Sequence, residues 1–258
     1  MTNKRPTAWL LIPLLMLVGS TAADPAEDAP KKTPENDEVK LDEKLPPGQE
    51  SLWKLLKGCE ARYAKVTGYT CTFSKRERIK DILQPAEVMA MKFRKPHAVH
   101  LLWKEGLLKN RQALYVEGKH DGKILVYTGN LPAFRKVFRI GIKSVEAKRE
   151  NRHTIREAGM GYLVLSLRKQ LEKARDKGAL KAAYLGPQKV NGRKTWHIRR
   201  ELENGGKREW NIDMQWVLPT RVATYDKDGK LLETYSYSDI KLNPGLKDED
   251  FDPDELFF

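Results

Sequence analysis

The stretch GYTCTFSKRERI, from Gly68 to Ile79, begins as an alternating pattern and ends as a run of charge. Apolar side chains at Tyr69, Cys71 and Phe73 alternate with two threonines and a serine. Successive side chains of a β-strand point to opposite faces, so one face of this segment is apolar and the other is polar. The stretch therefore predicts a strand whose apolar face covers the interior of the protein.

Short segments of the same kind follow, separated by sequences typical of tight hairpins. The clearest strand, REWNIDMQW at residues 208–216, alternates large apolar residues with polar ones. Asn-Gly and Asp-Gly pairs accept the positive φ angles of two-residue hairpin turns. Such turns are predicted at Asp121-Gly122, Asn191-Gly192, Asn204-Gly205-Gly206 and Asp228-Gly229.

Two segments have helical spacing instead of alternation. Apolar residues recur every three or four positions from about residue 50 to 65 and again from about residue 160 to 175. The apolar positions are Leu52, Leu55, Leu56, Cys59, Tyr63 and Val66 in the first segment and Val164, Leu167, Leu171 and Ala174 in the second. Each segment predicts one amphipathic helix.

Together these elements predict a mainly β, α+β fold, with one curved antiparallel sheet and two covering helices. Two helices cover such a broad apolar face only in part, and whatever they leave open becomes a cavity. The residues expected on the apolar face are Tyr69, Phe73, Met89, Met91, Phe93, Val99, Leu101, Trp103, Trp196, Ile198, Trp210, Ile212 and Trp216.

The first 23 residues have the features of a secretory signal peptide. Lys4 and Arg5 precede a short apolar run, Ala8 to Val18, and small residues follow at 20–23. An uncleaved membrane anchor is the alternative, but the run is shorter than the roughly 20 residues of a spanning helix and contains Pro13. No cysteine lies near the cleavage site to accept a lipid. We therefore expect a soluble protein that is periplasmic or secreted.

Residues 24–50 are acidic, rich in proline and nearly free of apolar side chains, which predicts a disordered linker. The whole chain has a net charge of +13; the leader contributes +2 and the linker −5, which leaves +16 for the expected domain, residues 51–258. No sequence signature of a nucleic-acid-binding module is present, so we expect no nucleic-acid partner. Such a basic exterior can simply be solvated, or it can attract anionic partners such as phospholipid headgroups.

Two cysteines are expected to point to the same interior. Cys59 lies on the apolar stripe of the first helix and Cys71 on the apolar face of the first strand. In an oxidising compartment two such thiols can pair. We predict a disulfide, which closes a ring of 13 residues and adds about 3 kcal/mol of stability. Two buried free thiols are the alternative.

The sequence shows no arrangement typical of catalysis. Its five histidines include no pair with the spacing of metal ligands. There is no Gly-x-Ser-x-Gly motif. The segment EAGMGY, residues 157–162, lacks the third glycine of a nucleotide-binding loop and is interpreted as the start of the second helix. We expect a protein that is not an enzyme and that has no metal or cofactor.

Several segments, in their order and spacing, resemble those of the LolA-like superfamily, the periplasmic carriers of outer-membrane lipoproteins. More closely, the chain resembles the uncharacterised bacterial family called domain of unknown function 1571, from residue 52 to the C-terminus. The segments are YTCTFSKRERI (69–79), MKFRKPHAVHLLW (91–103), LYVEGKHDGKILVY (114–127), LPTRVATYDKDGKLLETYSYSDIKLNPGL (218–246) and FDP (251–253).

The resemblance implies an unclosed antiparallel half-barrel covered by helices, with a hydrophobic cavity for acyl chains. In such carriers an arginine before a strand-end proline hydrogen-bonds the lid; here Lys95 has that position and Arg94 precedes it. Both are candidates for a lid contact, although lysine lacks the planar fork of arginine. The expected ligand-binding residues are Tyr69, Phe73, Met89, Met91, Phe93, Leu101, Trp103, Trp196, Ile198, Trp210 and Ile212, and ordinary core packing is the alternative for each.

The leading hypothesis is an exported, monomeric protein that binds or carries a lipid or a lipoprotein acyl chain, with a membrane or envelope partner. Each buried CH₂ group contributes roughly 0.8 kcal/mol, so a carrier needs apolar area more than catalytic groups. The alternative is a non-enzymatic envelope scaffold or adhesion module that binds anionic polymers through its basic surface.

Overall fold

The structure, a computed structural model, describes residues 45–46, 49–129, 137–149, 151–176 and 181–257. The predicted signal peptide, residues 1–23, and residues 24–44 of the predicted linker lie outside the described residues. Leu45, near the end of that linker, is buried in the core, and the first helix begins at Gln49. Ordered contacts thus begin a few residues before the expected boundary at residue 51.

The described part of the chain contains four α-helices: α1 (Gln49–Ala64), α2 (Val145–Arg149), α3 (Met160–Asp176) and α4 (Pro253–Phe257). The apolar spacing predicts α1 and α3 to within one residue at each end. The other two helices are five residues long. An α-helix has 3.6 residues per turn, so a helix of that length shows too little periodicity to be found in the sequence.

Twelve strands form one sheet. They are β1 (Gly68–Ile79), β2 (Ile82–Leu83), β3 (Glu87–Arg94), β4 (Ala98–Trp103), β5 (Gln112–Val116), β6 (Lys123–Tyr127), β7 (Val137–Gly141), β8 (Ala182–Val190), β9 (Arg193–Glu201), β10 (Lys207–Asp213), β11 (Leu218–Tyr225) and β12 (Leu231–Leu242). The order is β7-β6-β5-β4-β3-β1-β12-β11-β10-β9-β8, with β2 paired to the end of β1. The predicted mainly β, unclosed antiparallel sheet is confirmed, with β7 and β8 as its two edges.

The four predicted hairpin turns connect neighbouring strands of this sheet. Asn191 and Gly192, between β8 and β9, have φ angles of 49° and 76°. A side chain with a Cβ rarely adopts this region of φ, which Asn and Gly tolerate best. The turn chemistry of the sequence therefore accounts for four neighbouring pairs of strands: β5–β6, β8–β9, β9–β10 and β11–β12.

The two long helices cover one face of the sheet, which we call the inner face. α1 contacts α3, β8 and β11, and α3 also contacts β11. Beneath them Trp196 on β9 and Trp210 on β10 have no solvent exposure. The long helices therefore bury these side chains in the main core.

The polar side of β10 is buried as well. Asn211 has no solvent exposure, and its side-chain amide donates hydrogen bonds to Oε1 of Gln188 at 2.7 Å and to Oγ1 of Thr195 at 3.1 Å. Asp213, 1% exposed, forms an ion pair with Arg193. Alternation in the sequence separates the two sides correctly as far as Asp213, although hydrogen-bonded neighbours cover the polar side. The strand predicted to reach residue 216 ends there, and Met214 and Trp216 lie in the turn that follows.

The C-terminal segment covers part of the outer face. A second apolar cluster forms there between strand residues such as Leu114 and Leu125 and the terminal side chains Phe251 and Phe257. The ring of Phe257 stacks on that of Tyr127 with 5.6 Å between the centroids. This second apolar cluster packs the C-terminal segment against β4–β6.

The start of α3 is attached to the centre of the sheet through two buried tyrosines. The N–H of Gly159 donates to the hydroxyl of Tyr237 on β12, and the N–H of Met160 donates to the hydroxyl of Tyr69 on β1, each at 3.0 Å. Gly159 has a φ of 111°, and a Cβ at this position would lie 2.7 Å from the Tyr69 hydroxyl. These bonds satisfy N–H groups that a helix N-terminus otherwise leaves without acceptors.

We expect Tyr69→Phe and Tyr237→Phe each to lower the free energy of unfolding by about 1–3 kcal/mol, because each leaves a buried N–H group without its acceptor. Urea unfolding measures the change. Tyr225→Phe, at a half-buried position on β11, is the matched control, with an expected change below about 0.5 kcal/mol. Equal losses in all three variants would contradict the capping role.

Candidate functional site

A cavity of about 180 Å³ lies between the inner face and the segment that leads from β7 into α3. The apolar part of its sheet wall comes from β1, β3–β7, β11 and β12: Phe73, Met89, Leu101, Trp103, Ala113, Ile124, Val126, Ile140, Val222, Tyr235 and Tyr237. Its cover includes the apolar residues Ile142, Ala147, Ile155, Ala158 and Leu163. α1 contributes no lining residue.

Four of the eleven predicted ligand-binding residues line this cavity: Phe73, Met89, Leu101 and Trp103. The other seven are buried in the main core and do not line it: Tyr69, Met91, Phe93, Trp196, Ile198, Trp210 and Ile212. Four of these seven residues lie on β9 and β10, which the long helices cover. Tyr69 and Phe93, on β1 and β3, lie against Gly159 at the start of α3. Most of the cavity lies above β1 and β3–β7.

The charged wall of the cavity was missed by the sequence analysis, although β1 carries a signal for it. The alternation that begins at Tyr69 continues past Phe73, so that Lys75 and Glu77 also point to the inner face. Lys75 is 9% exposed and Glu77 is 4% exposed. The run of charge in the first sequence stretch is therefore half buried, because the strand extends to Ile79.

The ammonium group of Lys75 is surrounded by polar side chains at the cavity wall. Its Nζ lies 2.5 Å from Oδ1 of Asn151, 3.2 Å from Oε1 of Glu87 and 3.6 Å from Oε2 of Glu77. Glu87 also accepts a hydrogen bond from Nε1 of Trp103 at 2.6 Å. A buried charge is tolerated only when it is paired and hydrogen-bonded, and this network meets that condition while it orients the Trp103 ring.

A second polar network surrounds Glu233 on β12. Its carboxylate accepts hydrogen bonds from Nε of Arg152 at 2.8 Å and from a terminal nitrogen of Arg208 at 3.1 Å. Nε2 of His153 lies 3.1 Å from the same carboxylate, and Nδ1 of His153 lies 3.3 Å from Glu157. One imidazole thus bridges two carboxylates at the edge of the cavity.

The bridge shifts the pKa of both partners. The hydrogen bond to Glu233 raises the pKa of His153 above its ordinary value, against the effect of burial, and the charges of Glu233 and Glu157 add to the rise. Burial raises the pKa of Glu233, but the hydrogen bond and charge of His153, with the charge of Arg208, outweigh it and lower the pKa to about 2. The pair therefore favours a charged imidazole beside an ionised carboxylate.

The two residues expected near the lid contact different elements. Lys95 donates a hydrogen bond to the carbonyl oxygen of Tyr63 at 2.7 Å, and its ammonium lies 4.3 Å from the centre of the Tyr63 ring. A cation at the C-terminal end of a helix is stabilised by the free carbonyl groups there. Arg94 forms an ion pair with Asp248 and lies over the ring of Phe251. Lys95 thus holds the end of α1, and Arg94 holds the C-terminal segment.

The predicted disulfide is not formed in the structure. Cys59 and Cys71 are free thiols, and both are buried in the core. Burial raises the pKa of each thiol, so both stay protonated at neutral pH. They pack as small apolar side chains, which is the alternative that the sequence left open.

The segment EAGMGY leads into α3, as predicted: Glu157 ends a 3₁₀ turn, and Met160 is the first residue of the helix. Among the residues that the structure describes, no group of three histidine, cysteine or acidic side chains is placed to hold a metal ion. None of the described helices is both long and apolar enough to cross a bilayer.

We expect the contribution of His153 to stability to depend on pH. Because its pKa is raised in the folded state, the charged ring stabilises the protein fully below about pH 6.5, and this contribution is lost as the pH rises through the folded value. His153→Gln should therefore lower the urea midpoint most near about pH 6 and least near about pH 9.

His100→Gln is the matched control, with the opposite trend. Burial lowers the pKa of His100 to about 4, so the wild-type protein loses stability as the pH falls below about 6.5. Replacing His100 should thus become less costly at acid pH. The same pH trend in both variants would contradict the two assignments.

Solved structures with a similar chain path have low sequence identity to this protein. Lipoprotein LppX of Mycobacterium tuberculosis is 12% identical, with a TM-score of 0.48 over 78% of this chain and 99% of its own. MucB of Pseudomonas aeruginosa, in complex with MucA, is 12% identical, with a TM-score of 0.46 over 78% of this chain and 60% of its own. A LolA superfamily protein of Nitrosomonas europaea is 10% identical, with a TM-score of 0.35 over 79% and 98%.

Sequence comparison is informative at the level of the family. No curated protein matches the chain. The family described as Protein of unknown function (DUF1571) matches residues 66–256, from the end of α1 to α4. The match spans the whole sheet, the cavity and α3, and the chain therefore belongs to this family.

Proposed function

We propose that this protein binds the apolar part of an amphiphile, such as a lipid or a lipoprotein acyl chain, in the cavity between the sheet and the β7–α3 segment. The observation that carries the proposal is the cavity of about 180 Å³, which is lined mainly by apolar strand side chains. In other proteins an apolar cavity of roughly 150 Å³ binds benzene. The cavity therefore accepts a hydrocarbon segment of about that size, and the rest of a longer chain extends outside.

The cavity wall has an apolar part and a polar part, which match the two parts of an amphiphile. The sheet wall gains from burial of hydrocarbon, at roughly 25 cal/mol for each Å² removed from water. Met89 suits this wall because a thioether adapts its shape to irregular ligands. The polar part of the wall, formed by residues of the sheet and of the cover, offers hydrogen-bonding groups that include Lys75, Glu87 and His153. A polar headgroup beside these groups forms hydrogen bonds that replace some of those it loses with water on binding.

The cavity reaches the protein surface beside α2. Glu146 belongs to its lining and is solvent-exposed. Leu108 and Arg111, from the loop between β4 and β5, line the cavity as well. A ligand enters and leaves between this loop and α2 in the proposed function, while α1 and the core beneath it stay in place.

An exported carrier also agrees with the signal peptide predicted for residues 1–23. Binding of this kind needs no catalytic group, metal or cofactor. The absence of enzymatic activity, the absence of a nucleic-acid partner and the monomeric state stay predictions.

Native mass spectrometry of the purified protein tests the proposal directly. We expect a fraction of the protein to carry a lipid-sized ligand that organic solvent extracts. Repeated absence of any ligand would count against the carrier. Salt-sensitive binding to an anionic polysaccharide by such an empty protein would support the scaffold alternative instead.

A cavity-filling variant locates the site. We expect Ala113→Phe on β5 to weaken the binding of a fluorescent fatty acid by about tenfold or more, equivalent to about 1.4 kcal/mol, because the new ring occupies the space of the hydrocarbon. Ala183→Phe, at an exposed position on β8, is the matched control and should bind as the wild type does.

A second variant distinguishes a filled cavity from a misfolded protein as the cause of weaker binding. Overpacking costs roughly 1–3 kcal/mol, so urea unfolding is measured for each variant first. Met89→Ala enlarges the cavity, and we expect it to keep the ligand despite a stability loss of about 2–5 kcal/mol. Equal affinities for Ala113→Phe and Ala183→Phe would show that the ligand binds elsewhere.

A further inference from the structure

Exposed apolar side chains are concentrated around the mouth of the cavity. Six large hydrophobic residues are exposed in the described part of the chain, and Leu107, Phe138 and Val145 are three of them. Leu107 directly precedes the lining residue Leu108, and Val145 directly precedes the lining residue Glu146. Relative exposure is 105% for Leu107 and 77% for Val145, so neither side chain has a substantial packing role within the fold.

Phe138 adds a third apolar side chain at the edge of the sheet. It lies on edge strand β7 directly opposite Val126 and two residues before Ile140. Residues opposite each other, and residues two apart on one strand, share a face of the sheet. Val126 and Ile140 line the cavity, so Phe138 continues the same apolar wall outward, where it is 47% exposed.

The same two segments carry a strong positive charge. Residues 104–111 and 137–149 contain seven lysines and arginines and two glutamates, which gives a net charge of +5. Lys104, Lys109, Lys143 and Lys148 are exposed and make no ion pair with any described residue. We call this combination of apolar and basic residues, on 104–111 and 137–149, the mouth surface.

We propose that the mouth surface docks on a lipid bilayer that contains anionic headgroups. Apolar side chains flanked by lysines insert into the boundary between headgroups and acyl chains, while the lysines stay with the lipid phosphates. The negative surface potential of such a membrane attracts the +5 charge of the mouth surface. Docking in this orientation places the opening of the cavity against the bilayer, so an acyl chain moves between them without crossing water.

The proposal rests on the proposed carrier function for its purpose, but docking is measured without reference to a bound ligand. Vesicle flotation compares phosphatidylcholine vesicles with vesicles that also contain phosphatidylglycerol. We expect the purified protein to float with the anionic vesicles only, and to be released as the salt concentration rises.

Two double variants with the same change of charge test the surface. Leu107→Glu with Val145→Glu should reduce partitioning to anionic vesicles by about tenfold or more, since it removes two inserting side chains and reverses part of the attraction. Leu165→Glu with Leu185→Glu is the matched control. Both of its positions are exposed leucines, on α3 and β8, and neither lines the cavity. The control should partition almost as the wild type does.

The outcomes are distinguishable from those for the carrier. Loss of flotation in the mouth variant alone supports docking. Failure of the wild-type protein to bind anionic vesicles, or equal loss in both double variants, overturns it. Protein that carries lipid but ignores vesicles retains the carrier function without docking. Protein that floats with vesicles but never holds a ligand retains docking and loses the carrier.

Discussion

Two tyrosine hydroxyls from the middle of the sheet hold the first turn of α3, and the cover of the inner face depends on this contact. Tyr69 and Tyr237 belong to β1 and β12, which pair at the centre of the strand order. A buried hydroxyl needs a partner, and so do the first N–H groups of a helix. Here the tyrosine hydroxyls and the helix N–H groups are each other's partners. The contact joins residues 91 positions apart for Tyr69 and 78 for Tyr237, so it belongs to tertiary structure.

The anchored helix divides the inner face into two unlike halves. Over β8–β11, α1 and α3 pack on tryptophans that have no exposure. Over β3–β7 the cover is short: α2, a 3₁₀ turn at Ile155–Glu157 and the loop residues around them. Short elements bury fewer side chains than two long helices do, and space remains beneath them. The cavity is therefore a consequence of where the long helices end.

The lining of this cavity includes charged side chains. Lys75 and Glu77 are each less than a tenth exposed, and each has several polar partners. Replacing such ion networks by apolar side chains is often neutral or favourable for stability, so stability alone does not account for their presence. In the proposed function they recognise the polar end of an amphiphile, and the basic mouth surface brings the opening to a membrane.

The sequence alone determined the local features: strand faces, both long helices, the hairpin turns and a curved antiparallel sheet with a partly covered apolar face. Each of these follows from spacings of two to four residues or from turn chemistry, whereas the unclosed half-barrel was expected only from the family resemblance. Only the tertiary structure decided that Phe73, Met89, Leu101 and Trp103 border open space, whereas Trp196 and Trp210 lie in closed core. It also placed Lys75 and Glu77 inside and left both cysteines unpaired. Alternation shows that a side chain points inward, but what it meets there depends on elements that are distant in the chain.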